Sequence, residues 1–175
     1  ASRVSKGSPL INLINLDEGE RITSLLNVES FEEPGFVFMA TKKGVVKKTS
    51  LDEFKRQWKV GKKAIKLDPD DELVGSTLTD GEKFIMLVSQ SGKAVFFDEK
   101  EARSMGRAAR GVKGINLGKD DQVISLLVPE KKNTIFTVSE NGYGKRTNVD
   151  DFRKTRRGAK GVIACLLYTS PSPRD

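Results

Sequence analysis

Seven residues, Thr155-Arg156-Arg157-Gly158-Ala159-Lys160-Gly161, place three cations and two glycines in one short stretch, and an apolar run opening with Val162-Ile163 follows. Glycine lets a backbone turn sharply or approach another backbone closely. Arginine and lysine carried on such a turn stand free to meet phosphates. Related stretches occur earlier in the chain. Residues 105–111 put Arg107 and Arg110 where the first stretch has Arg157 and Lys160, and residues 1–7 fit the same frame with Arg3 and Lys6. Residues 55–61 depart from it: Gln57 and Val60 take those places, with Arg56 and Lys59 beside them.

The chemistry that this predicts is anion binding, and the composition argues against catalysis. The chain has no histidine, which removes the commonest general base and the Ser-His and Cys-His arrangements. Its single cysteine, Cys165, excludes an internal disulfide and falls at the apolar position of Ile65 and Ile115, so it reads as a core residue. The acidic runs around residues 68–72 and at Asp120-Asp121 lie in corresponding turns, and acidic caps of turns are favoured there over a metal site. Lys145-Arg146-Thr147 lacks the Gly-x-x-x-x-Gly-Lys frame of a phosphate-binding loop. No catalytic residue, metal or cofactor is therefore expected within the chain. No secretory segment and no apolar run of spanning length is present, so a soluble cytoplasmic protein with no membrane partner is expected.

The elements that carry the basic turns repeat. Ala64-Ile65-Lys66-Leu67 matches Gly114-Ile115-Asn116-Leu117 at an interval of 50 residues, and Ala164-Cys165-Leu166-Leu167 falls in register behind. A second marker agrees: Lys43-Gly44, Ser91-Gly92 and Asn141-Gly142 recur at 48 and 50 residues. Each pair lies between two short β-rich runs, which is a hairpin signal. The expected strands are 22–28, 36–41 and 45–49 in the first unit; 73–79, 84–89 and 94–97 in the second; and 123–128, 134–139 and 144–147 in the third. A brief helical turn or short strand is expected after each hairpin, at 51–54, 99–103 and 149–152. The prediction is all-β: a propeller-like array of roughly 50-residue, four-stranded blades, about three of them, at residues 16–66, 67–116 and 117–166. The chain reads as a piece of a larger array, and residues 167–175 have the composition of a disordered, non-family tail.

Charge follows the same period. The formal net charge is +7, yet residues 42–66, 103–113 and 145–160 carry +8, +4 and +5, so the remainder is strongly acidic. Cations concentrated in equivalent loops would line one edge of the array, which a long polyanion can track. Most phenylalanines sit inside apolar strands, and Trp58 is read as packing beside its basic turn, so the stacking platforms of single-strand readers are missing. Phosphate contact with duplex DNA, with bending and little base readout, fits best. A propeller-type protein-interaction scaffold is the alternative from a different class.

Residues 34–54 (PGFVFMATKKGVVKKTSLDEF), 141–152 (NGYGKRTNVDDF) and 156–164 (RRGAKGVIA) resemble the C-terminal DNA-wrapping domain of the DNA gyrase A subunit. The resemblance implies a β-pinwheel, a propeller-like ring whose blades exchange strands and whose basic rim bends duplex DNA. It also implies a non-catalytic part of a bacterial, nucleoid-associated type II topoisomerase. ATP and Mg2+ would act elsewhere in an A2B2 holoenzyme made with the B subunit plus the rest of the A subunit. The topoisomerase IV homologue is the runner-up within this class. Residues 155–161 are similar to the family's Gln-Arg-Arg-Gly-Gly-Lys-Gly box, with Thr155 for Gln and Ala159 for Gly. Gly158 and Gly161 are then the turn glycines. The residues expected to meet DNA are Arg3, Lys6, Lys42, Lys43, Lys47, Lys48, Arg56, Lys59, Arg107, Arg110, Lys113, Lys145, Arg146, Arg156, Arg157 and Lys160.

Overall fold

The computed structural model describes residues 7, 19–56 and 63–164. Ten strands fall within them: β1 (Phe36–Thr41), β2 (Val45–Ser50), β3 (Leu73–Thr79), β4 (Phe84–Ser89), β5 (Lys93–Asp98), β6 (Val112–Lys113), β7 (Val123–Leu127), β8 (Thr134–Val138), β9 (Gly144–Asn148) and β10 (Val162–Ile163). Short 3-10 turns follow each hairpin at Leu51–Phe54, Glu99–Glu101 and Val149–Asp151. The first is capped by Ser50 and the second by Asp98, whose side chains accept from amides two residues on. The three predicted hairpins are present within one residue of their expected ends.

The strands assemble into two four-stranded antiparallel sheets, in the orders β3-β1-β2-β6 and β10-β5-β4-β7, and a two-stranded sheet β8-β9. These are four-stranded blades that exchange strands, as the resemblance implies: in both four-stranded sheets the central hairpin takes one outer strand from the next repeat and the other from beyond the next repeat's hairpin. Residues 22–28, expected as an outer strand, form no ladder, although Ser24 and Ser76 exchange a hydroxyl hydrogen bond of 3.0 Å.

The acidic turns explain the first exchange. Asp71 accepts the Lys43 amide at 2.9 Å, and the Lys42 amide donates to the Glu72 carbonyl at 2.8 Å. These bonds seat the acidic turn on the preceding hairpin turn, so Leu73 starts opposite Thr41. In the next repeat Asp121 accepts the Ser91 amide at 3.0 Å, Gln90 donates to the Gln122 carbonyl, and Val123 starts opposite Ser89. Both ladders shift register at the same place, after Ala40 and after Val88. The aspartates, expected to cap their own turns, also cap the turn of the repeat before. Asp70 and Asp120 adopt φ of 59° in these turns, a left-handed conformation that Asp tolerates.

The core explains why FIMLVS is a continuous apolar run. Ile85 and Leu87 of β4 join Phe38, Val46, Val95 and Phe97 in one cluster, whereas Met86 and Val88 join Phe96, Val149 and Phe152 in another. β4 is thus buried on both faces, and alternation disappears. On β8, by contrast, Ile135 packs inward while Phe136 and Val138 are 65% and 56% exposed.

Candidate nucleic-acid interface

The basic turns are seated by glycine and by backbone hydrogen bonds. Gly111 and Gly161 end the turns at φ of 102° and 81°. A Cβ on Gly111 would lie 2.5 Å from the Val46 carbonyl oxygen, and one on Gly161 would lie 2.9 Å from that of Ala94. Only glycine fits such an approach. It lets β6 and β10 leave the turn directly into the sheet, pairing Val46 with Val112 and Ala94 with Val162. The entrances are fixed as well: the Met105 amide donates to the Lys48 carbonyl at 2.8 Å, and that of Thr155 to the Phe96 carbonyl at 2.7 Å.

Consecutive turns are joined in a row. Lys66 donates its amide to the Ala109 carbonyl and Asn116 donates to that of Ala159, so residues leaving one turn bond to the next turn. Gly158 adds a 2.7 Å bond to the Gly114 carbonyl. In the two described turns the same positions face outward. Arg110 and Lys160 are exposed, as is Arg156, while Arg107 and Arg157 are half-buried. Arg110 pairs with Asp68 at 3.1 Å. Lys113, exposed on β6, lends its carbonyl to Arg157 at 2.6 Å and so adjoins the last turn.

The other expected cations divide. Lys42 and Lys43 belong to the first hairpin turn: Lys42 lies 3.8 Å from Glu72, and Lys43 donates to the Pro69 carbonyl at 2.7 Å. Arg56 is exposed, as are Lys145 and Arg146 on β9. Arg3, Lys6, Lys59, Trp58 and Cys165 lie outside the described residues.

Lys47 and Lys48 are a correction. Both are buried: they point to opposite faces of β2, and both faces are covered. Lys47 Nζ donates to the carbonyls of Ala64 and Arg107, and burial, followed by repulsion from Arg107, pulls its ammonium below the usual lysine range against the pull of Glu53. Lys48 Nζ donates to the Glu99 carbonyl at 3.0 Å and lies 4.0 Å from that carboxylate. Neither ammonium can meet an external phosphate.

Two cations missed by the sequence reading belong to the site. Arg153 and Lys154 line, with Arg156 and Lys160, an open concavity of about 500 Å³ beside the last basic turn. Lys154 stands 4.1 Å over the Phe84 ring, a cation–π contact that fixes its stem. Both sit inside the charged window 145–160, and their adjacency to the turn was the available signal. What this surface can do chemically is hold a row of anions. Among the described residues, no cluster of His, Cys, Asp or Glu is placed to hold a metal, and no helix is long and apolar enough to cross a membrane.

The comparisons with known proteins agree with this geometry. The family described as DNA gyrase C-terminal domain, beta-propeller, matches residues 1–29, 35–80, 83–130 and 133–168. The DNA gyrase A subunit of Escherichia coli (strain K12) is 51% identical over 112 residues, covering 64% of this chain and 13% of that protein. The solved C-terminal domain of DNA topoisomerase IV superposes with a TM-score of 0.84 at 34% identity, over 90% of this chain and 49% of that one. The DNA gyrase A C-terminal domain gives 0.79 at 26% identity, over 90% and 53%. The chain thus spans about half of these solved domains and a small part of the curated relatives. It belongs to the DNA gyrase C-terminal domain family.

Proposed function

We propose that this chain binds duplex DNA along its row of basic turns and bends it, as a non-catalytic part of a gyrase A subunit. One observation carries the reading: the backbone leaving one basic turn is bonded to the next turn, and the two described turns expose a cation at the same position, Arg110 and Lys160. A solvated charged loop needs no such registration with its neighbours, whereas a bent polyanion needs evenly placed contacts. The parent protein is then a type II topoisomerase that introduces negative supercoils with ATP. It would work in the bacterial cytoplasm, at the nucleoid, in an A2B2 holoenzyme. ATP and Mg2+ belong elsewhere in that complex.

The test is duplex binding followed by fluorescence anisotropy across a salt series. Each phosphate neutralised steepens the dependence of log K on log salt by about 0.9, so several contacts lower affinity by orders of magnitude between 50 and 200 mM salt. Affinity that ignores salt, or no binding at low salt, overturns the proposal. Energy transfer between dyes on the duplex ends reports bending, and an unchanged end-to-end distance removes that part. The likeness to the topoisomerase IV domain supports a second reading within the class. Supercoiling of relaxed plasmid by the full-length protein reconstituted with its B-type partner subunit and ATP favours gyrase, and decatenation without supercoiling favours topoisomerase IV.

A further inference from the structure

By residue type and position Arg157 belongs with the phosphate-facing cations, but its contacts assign it another task. We propose that Arg157 is a positioning residue, a latch that fastens the last basic turn to the 3-10 turn of the repeat before it, and that Arg156 and Lys160 are left to meet phosphate. The inference rests on the DNA-binding reading and refines it. The Arg157 amide donates to Glu101 Oε2 at 2.9 Å, its Nε to the Glu101 carbonyl at 3.0 Å, and its Nη1 to the Lys113 carbonyl at 2.6 Å. Two edges of the guanidinium are thereby committed to protein carbonyl oxygens.

Arg107 keeps the place with a weaker contact: its Nε lies 3.7 Å from Glu53 Oε2, where Glu53 holds in its 3-10 turn the place that Glu101 holds in the next, but that Nε is buried and makes no hydrogen bond among the described residues. Both arginines are half-buried, whereas Arg110, Arg156 and Lys160 are exposed. Guanidinium suits the task, since its planar fork addresses two carbonyls at once and lysine has no such geometry. A latch of this kind sets where the exposed cations stand relative to the previous sheet, and therefore the spacing of contacts along bent DNA.

Three variants of the full chain, R156Q, R157Q and E101A, separate latch from ligand. Anisotropy against salt should show the R156Q slope falling by about 0.9, the loss of one phosphate contact. R157Q should weaken binding and bending with its slope unchanged, and E101A, which removes the acceptor of the Arg157 amide, should do the same although it removes an acid. A slope loss in R157Q equal to that of R156Q, or tighter binding by E101A, overturns the latch. Hydrogen exchange reads it without DNA: R157Q and E101A should each speed the Gly158 amide by about tenfold, the equivalent of one ordinary hydrogen bond. Unchanged exchange in both counts against the latch whatever happens to binding. Failure of the wild-type chain to bind duplex overturns the functional reading alone.

Discussion

Glu99 is fully buried, and replacing it with alanine should be among the most destabilising single changes in the second sheet. Its carboxylate accepts from Thr79 Oγ1 at 2.7 Å and from the amides of Gly81 and Lys83 at 3.0 and 2.7 Å. The two amides are only partly buried, so water can replace the carboxylate there at modest cost. Thr79 and Lys48 have no such recourse. The Lys48 side chain is 8% exposed, and without Glu99 its ammonium keeps, among the described residues, the carbonyl of residue 99 and the Phe36 ring at 5.0 Å. Breaking a buried pair by removing one partner costs about 3–5 kcal/mol, so E99A should lose about 4 kcal/mol. At about 2–4 °C per kcal/mol, the melting temperature should fall by on the order of 10 °C. Chemical denaturation of wild type, E99A, K48M and K48M/E99M measures this. The double variant replaces the pair by apolar side chains of similar length and should recover most of the loss. Because Lys48 faces the interior, the double variant should also keep the wild-type salt slope for duplex DNA. A loss below about 1.5 kcal/mol in E99A, or a double variant as unstable as the sum of the singles, refutes the reasoning.

G161A should lose about 2–4 kcal/mol by denaturant titration, since a left-handed alanine is strained and its Cβ would meet the Ala94 carbonyl oxygen at 2.9 Å. Lys47 has a lowered pKa when folded, so the unfolded chain binds its proton more tightly. Its burial cost is present at neutral pH and relieved as pH rises toward 10.5, and the stability gained by wild type over K47M in that range should be measurable by urea midpoints. For Asp121, burial pushes the carboxyl upward, but the hydroxyl and amide of Ser91, with Ser89 and the Gln122 amide, outweigh it and hold its pKa below the usual 3.8. Its stabilisation is therefore full above 3.8 and lost as pH falls through the folded value; D121A should cost about 1 kcal/mol at pH 7 and progressively less as pH falls below 3.8.

The hairpins were legible because each is a local event: two β-rich runs, a turn pair that accepts positive φ, and a polar stop. Their pairing with other strands was not, because it depends on where distant acidic and basic turns dock. Residues 22–28 show the limit, having strand composition but no ladder. The burial of Lys47 and Lys48 was hidden by their charge, yet the sequence held a clue. Counted from the hairpin glycine, the second repeat has Val95 and Phe96 in those places, both buried. The third repeat has Lys145 and Arg146 there, both exposed, so comparing repeats position by position gives a divided signal. The same comparison separates cations within the basic turns only in part, since nothing in the type of Arg157 distinguishes it from Arg156. That distinction lies in the partner, Glu101, which is 56 residues away.

The residues that would touch DNA and those that build the array are therefore interleaved in the same seven positions. The last glycine of the turn opens the backbone to the preceding sheet, the third residue ties it to the preceding 3-10 turn, and the first and fifth residues bond to neighbouring strands and loops. Only the second and sixth positions are left to solvent in the last turn, as Arg156 and Lys160. In the turn before, Gly106 stands at the second position, so Arg110 is the exposed cation there, and Lys47, from inside the first hairpin, holds the carbonyls of Ala64 and Arg107. Val95 replaces Lys47 in the second hairpin, and there the Gly158 amide meets the carbonyl of Gly114, the equivalent of Ala64. The two turns are thus seated by different bonds at the same place, and the place is what they share. A surface selected only for positive charge would have no reason to keep the seating while exchanging the bonds. A surface that must present phosphate contacts at fixed intervals along a bent duplex would.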